Sequence, residues 1–158
     1  ITNNPTFAEA LGYHRNAVGI NPSPFDPWML SRSLKTFSLR MRQHHENARY
    51  LADRLSYHPL VSHVYYPGIS GIISVEFAVE LEIAKQIVSS FKLFTLAESL
   101  GGVESLVDHP ASMTHASIPR EVRLVNGLSD GLMRFSVGIE DKEDLRNDLE
   151  ETLTDFIK

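Results

Sequence analysis

The alternating run from Leu132 to Val137 constrains the fold of this chain more than any other feature of the sequence. Apolar and polar side chains alternate along it, which predicts a half-buried β-strand. Asp141 follows after a short turn and is suited to cap a helix that continues to about Phe156. The apolar residues of that helix form one stripe, at Leu145, Leu149, Leu153 and Phe156. A strand that leads into an amphipathic helix favours a core enclosed between a sheet and helices.

The rest of the chain continues this alternation of strand-like and helix-like segments. Runs of β-branched and aromatic residues predict strands at Val61–Tyr66, Ile72–Val79 and Lys92–Leu96. Amphipathic runs predict helices at Pro5–Leu11, at Glu80–Phe91, and from Pro27 to the residue before His58, with Asp26 as the N-cap of this long helix. The order predicts an α+β fold in which helices cover one face of a mostly antiparallel sheet, with a long helix near the N-terminus.

Composition limits the classes of function. The 158 residues fit one ordinary globular domain, with a net charge of −5 and basic residues dispersed along the chain. Nucleic-acid binding requires a concentrated basic face, so we expect no nucleic-acid partner. The chain has no cysteine, which excludes disulfides, a thiol nucleophile and thiolate metal sites. No apolar run approaches the roughly 18–20 residues of a membrane span, so we also expect no membrane association.

The first residues carry neither the basic nor the apolar region of a secretory signal, and the sequence begins with Ile1 rather than methionine. We therefore expect a soluble, cytoplasmic domain that was cut from a larger protein.

The seven histidines do not form a recognisable metal motif. His44 and His45 are adjacent on a predicted helix and point about 100° apart, so they cannot chelate one ion together. His109 and His115 lie in a predicted loop without a third ligand at metal spacing. Asp108, His109 and a nearby serine (Ser112 or Ser117) could suggest a catalytic triad, but local proximity of common residues is weak support for one. We predict no metal site.

Arg134 is the better candidate for a functional residue. An inward-facing arginine in an apolar strand requires an anion, and a guanidinium binds a carboxylate through two parallel hydrogen bonds. The alternative is an outward arginine on the polar face of a half-buried strand. Ser99, which is followed by Gly101 and Gly102, would complete a pocket for a small carboxylate.

Two long segments of the chain resemble a known enzyme family. The segments are NAVGINPSPFDPWMLSRSLKTFSLRM with its continuation to Tyr66-Pro67-Gly68, and FTLAESLGGVESL followed by HPASMTH and GLMRFSVGIED. They are similar to the C-terminal part of the cysteine/methionine-metabolism family of pyridoxal-phosphate enzymes, which includes cystathionine γ-synthase and cystathionine γ-lyase. The resemblance implies the small C-terminal domain of a fold-type I enzyme. It further implies that residues 1–24 are a remnant of the large cofactor-binding domain, 25–60 a long connecting helix, and 61–158 the C-terminal α+β domain.

The same resemblance assigns roles to individual residues. Arg134 would hold the α-carboxylate of an amino-acid substrate, and Ser99 would lie against that carboxylate and the lysine that carries the cofactor. Thr114, Glu104 and Ser105 would line the pocket. The family's enzymes are usually homotetramers, so we expect the parent protein to form a homo-oligomer.

The family's cofactor lysine has no counterpart here. None of the five lysines, Lys35, Lys85, Lys92, Lys142 and Lys158, has the sequence context of that lysine. The resemblance also implies a longer loop after Gly68 than the Ile69-Ser70-Gly71 connection in this chain. Without a Schiff-base lysine the chain alone is expected to be inactive.

Two hypotheses remain open at the level of the sequence. In the first, the chain is part of a pyridoxal-phosphate enzyme that carries out elimination or γ-replacement on sulfur amino acids. In the second, it is a stand-alone domain without catalytic activity that binds a partner or supports an oligomer.

Overall fold

The computed structural model describes residues 2–157, and it divides into two compact units between Ser38 and Leu39. This boundary lies inside the region predicted to be one connecting helix.

The first unit contains helices whose ends are set by local hydrogen bonds. Helix α1, Pro5–Val18, begins where the Asn4 side chain accepts hydrogen bonds from the amides of Thr6 and Phe7. It ends at Gly19, whose φ of 75° is the left-handed conformation that favours glycine. It is therefore one helix of 14 residues, longer than the predicted Pro5–Leu11.

The single helix predicted from Pro27 onward is not formed. Two helices take its place, α2 (Phe25–Leu34) and α3 (Phe37–Leu55). Between them the amide of Lys35 bonds the carbonyls of Arg32 and Ser33, and both the amide and the hydroxyl of Thr36 bond the Ser33 carbonyl. These short-range bonds replace the regular α-helical ones and end α2.

The prediction of Asp26 as an N-cap was also wrong. Helix α2 begins one residue before Asp26, with Pro24 at the N-cap position. The Asp26 carboxylate instead accepts hydrogen bonds from the amide and hydroxyl of Ser23, both at 3.0 Å.

The second unit contains a mixed sheet of five strands. They are β1 (Val61–Tyr65), β2 (Ile72–Phe77), β3 (Thr95–Leu96), β4 (Leu106–Asp108) and β5 (Leu132–Ser136), in the spatial order β1-β2-β5-β4-β3. The β1–β2, β2–β5 and β5–β4 pairs are antiparallel, whereas β3 runs parallel to β4. The helices of this unit are α4 (Leu81–Ser90), α5 (Arg120–Val125) and α6 (Lys142–Thr154), together with most of α3. The α+β class that the sequence predicts is confirmed.

The core lies on one face of this sheet. Ile73, Val75 and Phe77 of β2 and Met133 and Phe135 of β5 are buried together with apolar side chains of the helices. Those helical residues are Ala48, Leu51, Ala52 and Leu55 of α3, Ala84, Ile87 and Val88 of α4, and Leu145, Leu149 and Leu153 of α6. Because neighbouring residues of a strand point to opposite faces, the intervening residues, including Arg134, lie on the other face.

The N-terminus of α6 forms as predicted from the sequence. The Asp141 carboxylate accepts hydrogen bonds from the amides of Glu143 (2.8 Å) and Asp144 (3.4 Å). The side chains that α6 buries include the predicted stripe of leucines. The strand β5 and this helix are therefore joined by the five-residue segment 137–141, which begins directly after the strand that carries Arg134.

Candidate functional site

Arg134 lies in the middle of β5, opposite Ser74 of β2 and Asp108 of β4. Its Nη2 donates a hydrogen bond to Asp108 Oδ2, which forms an ion pair across the two strands. The Arg134 side chain is 28% exposed, whereas that of Asp108 is 1% exposed. The guanidinium is therefore anchored on one side and open on the other, where its remaining N–H groups are available to a carboxylate.

The sequence allowed either an inward or an outward orientation of Arg134, and the structure shows the outward one. The side chain lies on the face opposite the apolar core, and it has an acidic partner within the chain. Sequence reasoning missed Asp108 as that partner, because β4 has only three residues and was not predicted.

Burial disfavours the negative charge of Asp108. Burial raises the pKa of its carboxyl above the ordinary value, and the charge and hydrogen bond of Arg134 offset only part of this increase. The negative charge of Glu98 raises this pKa further. Its second oxygen, Oδ1, is buried without a hydrogen-bond partner among the described residues.

Ser99 lies beyond the end of β3 and is exposed. The strand β3 runs parallel to β4, with Leu96 opposite Val107, and the amide of Ala97 continues the pairing with a 3.0 Å bond to the Val107 carbonyl. Ser99 is consequently at the same end of β4 as Asp108, the residue that binds Arg134. Among the described residues its hydroxyl has no hydrogen-bond partner.

The three residues predicted to line the pocket occupy different settings. Glu104 is exposed, and its carboxylate lies so close to Gly102 that a Cβ there would come within 2.6 Å of Oε1. Thr114 is exposed, and its hydroxyl is 2.7 Å from His115 Nδ1. Ser105 is fully buried, and its hydroxyl is already used within the fold, as described below. Their roles in a pocket stay predictions.

His109 belongs to a buried structural network. Its Nε2 lies 2.7 Å from the Asp130 carbonyl, which can only accept, so Nε2 carries the proton and Nδ1 accepts from Ser112 Oγ at 2.8 Å. Burial lowers the pKa of His109, although the hydrogen bond to the Asp130 carbonyl raises it in part. The orienting group on His109 is a backbone carbonyl rather than Asp108, so these residues do not have the geometry of a Ser-His-Asp triad.

Asp130 connects this network to two arginines. It pairs with Arg120 Nε at 2.5 Å and with Arg123 Nη1 at 3.2 Å. Burial would raise the pKa of Asp130, but the hydrogen bond from Arg120 and the charges of both arginines outweigh that effect and hold the pKa below its ordinary value. Sequence reasoning missed this cluster, because α5 is a short helix of six residues that no periodic pattern predicted.

The lysines that the structure describes do not fit the covalent anchor of a pyridoxal-phosphate cofactor. Lys85 and Lys92 pair with glutamates at 2.7 and 3.0 Å, Lys35 is exposed, and Lys142 lies 5.3 Å from the centre of the Tyr50 ring. A Schiff-base lysine is activated by a desolvated pocket or by a neighbouring cation, and neither is found at these side chains. The same described residues contain no group of three or more potential metal ligands. They also contain no helix that is long and apolar enough to cross a bilayer.

Comparison with known proteins gives consistent matches along the chain. A cystathionine β-lyase of Coxiella burnetii is 48% identical over 169 aligned positions, which cover 97% of this chain and 44% of that protein. A cystathionine γ-synthase/O-acetylhomoserine (thiol)-lyase of Bacillus subtilis is 47% identical and covers 92% of this chain and 39% of that protein. The chain therefore spans less than half the length of these relatives.

A solved structure shares the fold as well as the sequence. The cystathionine γ-synthase of Xanthomonas oryzae pv. oryzae, determined in complex with aminoacrylate and cysteine, superposes with a TM-score of 0.85 at 39% identity. The superposition covers 98% of this chain and 44% of that protein. Residues 1–154 also match the sequence profile of the Cys/Met metabolism PLP-dependent enzymes. From the profile match and these relatives together, the chain belongs to the Cys/Met metabolism family of pyridoxal-phosphate-dependent enzymes.

Proposed function

We propose that this chain is the C-terminal portion of a pyridoxal-phosphate enzyme in which Arg134 holds the α-carboxylate of a sulfur-containing amino acid. The observation that carries this proposal is the half-open guanidinium of Arg134, which Asp108 fixes from the buried side. A carboxylate that approaches from the open side can accept two parallel hydrogen bonds from the planar guanidinium.

In this proposal the chain positions the substrate and another part of the enzyme carries out the bond chemistry. Bound pyridoxal phosphate withdraws electrons from the α-carbon of an amino acid, which permits elimination or replacement at its side chain. Arg134 fixes the carboxylate, and the hydroxyl of Ser99 donates a hydrogen bond to the same group. Two contacts on the carboxylate hold the rest of the amino acid in one orientation.

The remaining features of the proposal follow from the family rather than from the fold. The cofactor lysine would be supplied by a part of the enzyme outside this chain, so the 158 residues alone would be inactive. The full enzyme would be a cytoplasmic homo-oligomer, and we favour a homotetramer. Within the family we favour a γ-synthase or γ-lyase activity, because of the segment FTLAESLGGVESL.

Intact mass and visible absorbance test the first part of this proposal. We expect the protein from its natural source to have a mass well above 17.8 kDa, the mass of this chain, and to show the visible absorbance of bound pyridoxal phosphate. A protein of 17.8 kDa from the natural source that stays colourless when pyridoxal phosphate is added would contradict the proposal. That outcome would favour a stand-alone domain without catalytic activity.

A substrate panel tests the choice of reaction. The full-length protein would be assayed with cystathionine, with methionine and with an activated homoserine ester plus cysteine. Formation of cystathionine from the ester, or release of cysteine from cystathionine, agrees with the proposal. Release of homocysteine from cystathionine as the only reaction would instead identify a β-lyase.

A further inference from the structure

Two segments that flank the candidate site are joined by hydrogen bonds along their length. One is the loop of residues 99–105 between β3 and β4, and the other is segment 136–140 at and after the end of β5. The amide of Gly101 donates to Ser136 Oγ at 2.8 Å, and the amide of Ile139 donates to the Val103 carbonyl at 2.9 Å. At Gly138 a Cβ would come within 2.3 Å of the Val103 carbonyl oxygen, so only glycine permits this close approach.

The carboxylate of Glu140 adds two further hydrogen bonds between these segments, at Ser105. Its Oε1 accepts the backbone amide of Ser105 at 2.6 Å, and its Oε2 accepts the Ser105 hydroxyl at 2.9 Å. The same hydroxyl accepts the amide of Gly138 at 2.8 Å. Two hydrogen bonds from one residue to one carboxylate are charge-assisted and fix the relative orientation of the two groups. We call this Glu140–Ser105 pair the carboxylate clamp.

Segment 136–140 is in turn fixed to helix α3. Asn47, which is fully buried, donates from Nδ2 to the carbonyls of Gly138 (3.0 Å) and Glu140 (2.8 Å). His44 Nδ1 lies 2.7 Å from the Val137 carbonyl and donates to it. The loop of residues 99–105 is therefore joined to α3 and β5 through the carboxylate clamp and through the hydrogen bonds of Gly101 and Val103, whereas Ser99 itself is exposed.

We propose that Glu140 is a positioning residue that, through Ser105, holds the loop of residues 99–105 so that Ser99 meets the carboxylate bound by Arg134. This inference rests on the proposed function of Arg134 and extends it to a residue that does not touch the substrate. Glu140 is continuous with β5, so one backbone segment orients both contacts of the carboxylate: Arg134 directly, and Ser99 through the clamp.

Hydrogen exchange of the full-length protein tests the clamp without any need for activity. The variants are Glu140→Gln and Ser105→Ala, and Glu143→Gln is the control because it removes a partly exposed carboxylate of α6. We expect amide exchange at Ser105 to become about tenfold faster or more in Glu140→Gln, because the amide loses its charged acceptor. We expect the same increase at Gly138 in Ser105→Ala, because the hydroxyl that accepts this amide is removed. The amide of Phe94, which is bound by Asp148, should keep its wild-type rate in all three.

Steady-state kinetics of the full-length protein test the positioning role. We expect Glu140→Gln to raise KM for the amino-acid substrate about tenfold while kcat changes by less than about threefold. Adding Ser105→Ala to Glu140→Gln should raise KM little further, because both substitutions break the same contact. Glu143→Gln should leave both constants unchanged.

The outcomes separate the alternatives. Faster exchange with an unchanged KM would overturn the positioning role and leave the clamp as a purely structural contact. Unchanged exchange, or effects on KM that add in the double variant, would overturn the clamp itself. If the wild-type full-length protein has no pyridoxal-phosphate activity, the proposed function fails and the role of Ser99 fails with it, whatever the exchange rates show.

Discussion

Two aspartates show how differently a buried carboxylate can be accommodated in this fold. Asp148 accepts the backbone amides of Lys92, Leu93 and Phe94 at 2.8, 2.8 and 3.2 Å, so its charge is well solvated by the protein. Asp108 has one partner, the partly exposed Arg134, and a buried oxygen without any. A carboxylate in the second setting contributes little to stability.

The same substitution should therefore change stability by very different amounts at the two positions. We expect Asp148→Asn to lower the free energy of unfolding by about 2–4 kcal/mol, because an amide cannot accept all three backbone hydrogen bonds. Asp108→Asn should stay within about 1 kcal/mol of wild type, because it removes a buried charge whose partner remains open to water. The folded-state pKa of Asp108 lies above its unfolded value, so the stability that this group contributes at low pH is lost as pH rises through the folded pKa. Urea unfolding at neutral pH measures both changes, and a large loss in Asp108→Asn would contradict this account.

We expect His109 to give the free energy of unfolding a pH dependence of the opposite sign. Its folded-state pKa lies below the unfolded value, because burial disfavours the charged imidazole. Between the two values only the unfolded chain takes up a proton, so stability should fall with decreasing pH, by up to about 1.4 kcal/mol per pH unit. The pKa of His58 is also lowered by burial, so it adds to the same slope.

Unfolding measured from about pH 7 to pH 5 checks this prediction. We expect His109→Gln to reduce the slope, since glutamine can donate to the Asp130 carbonyl without a comparable titration. His63→Gln, at an exposed position of β1, is the matched control and should keep the wild-type slope. A slope that is unchanged in His109→Gln would show that other groups dominate.

At the scale of the residue, the sequence predicts the position of Arg134 in its strand but not its ion-pair partner. The strand pattern around Arg134 is local, and β5 forms where it was predicted. The Asp108–Arg134 pair depends on the register between β4 and β5, which no local pattern determines. The carboxylate clamp was hidden for the same reason, because Ser105 and Glu140 are 35 positions apart.

At the scale of the element, the helices of the first unit are amphipathic in sequence, but neither α1 nor α2 buries any residue. Five large apolar side chains of this unit are at least 57% exposed: Phe7, Leu11, Phe25, Trp28 and Leu34. Exposed apolar side chains in this number are typical of a protein–protein contact or, in an isolated chain, of a tendency to associate.

We therefore expect the isolated 158-residue chain to self-associate in a concentration-dependent manner. The double variant Phe7→Ser and Trp28→Ser should shift the sedimentation profile toward the monomer, because it removes apolar area from this surface. Tyr57→Ser is the matched control, since Tyr57 is 90% exposed but lies outside the unit. A wild-type chain that is monomeric at all concentrations, or a double variant that behaves like wild type, would contradict the expectation.

The break between α2 and α3 shows a limit of periodicity at this scale. Apolar residues at Leu34, Phe37 and Met41 keep a helical spacing across the break, so the pattern gave no sign of an interruption. The interruption depends on hydrogen bonds of Lys35 and Thr36 to nearby carbonyls, which compete with regular helical bonds. The short elements β4 and α5 were missed because three and six residues are too few to show a period.

At the scale of the whole molecule, family membership could be predicted because it depends on long ordered segments rather than on single contacts. The chain matches the family profile over residues 1–154, and the α+β class follows from the order of its elements. The residue that anchors the cofactor could not be identified in the sequence. The described lysines also lack the surroundings of such an anchor in the structure. We therefore propose that this chain holds the substrate carboxylate and that another part of the enzyme holds the cofactor.

The most direct test of this division is the kinetic effect of replacing Arg134 in the full-length protein. We expect Arg134→Ala to lower kcat/KM by the equivalent of about 2–5 kcal/mol, mainly through KM, because the substrate carboxylate loses its charged partner. Arg134→Lys should recover only part of this loss, since lysine lacks the planar pair of donors. Arg120→Ala, which removes an arginine from a different ion pair, is the control and should leave KM unchanged. Wild-type kinetics in Arg134→Ala would contradict the account, whereas a large rise in KM with the cofactor still bound is the result it predicts.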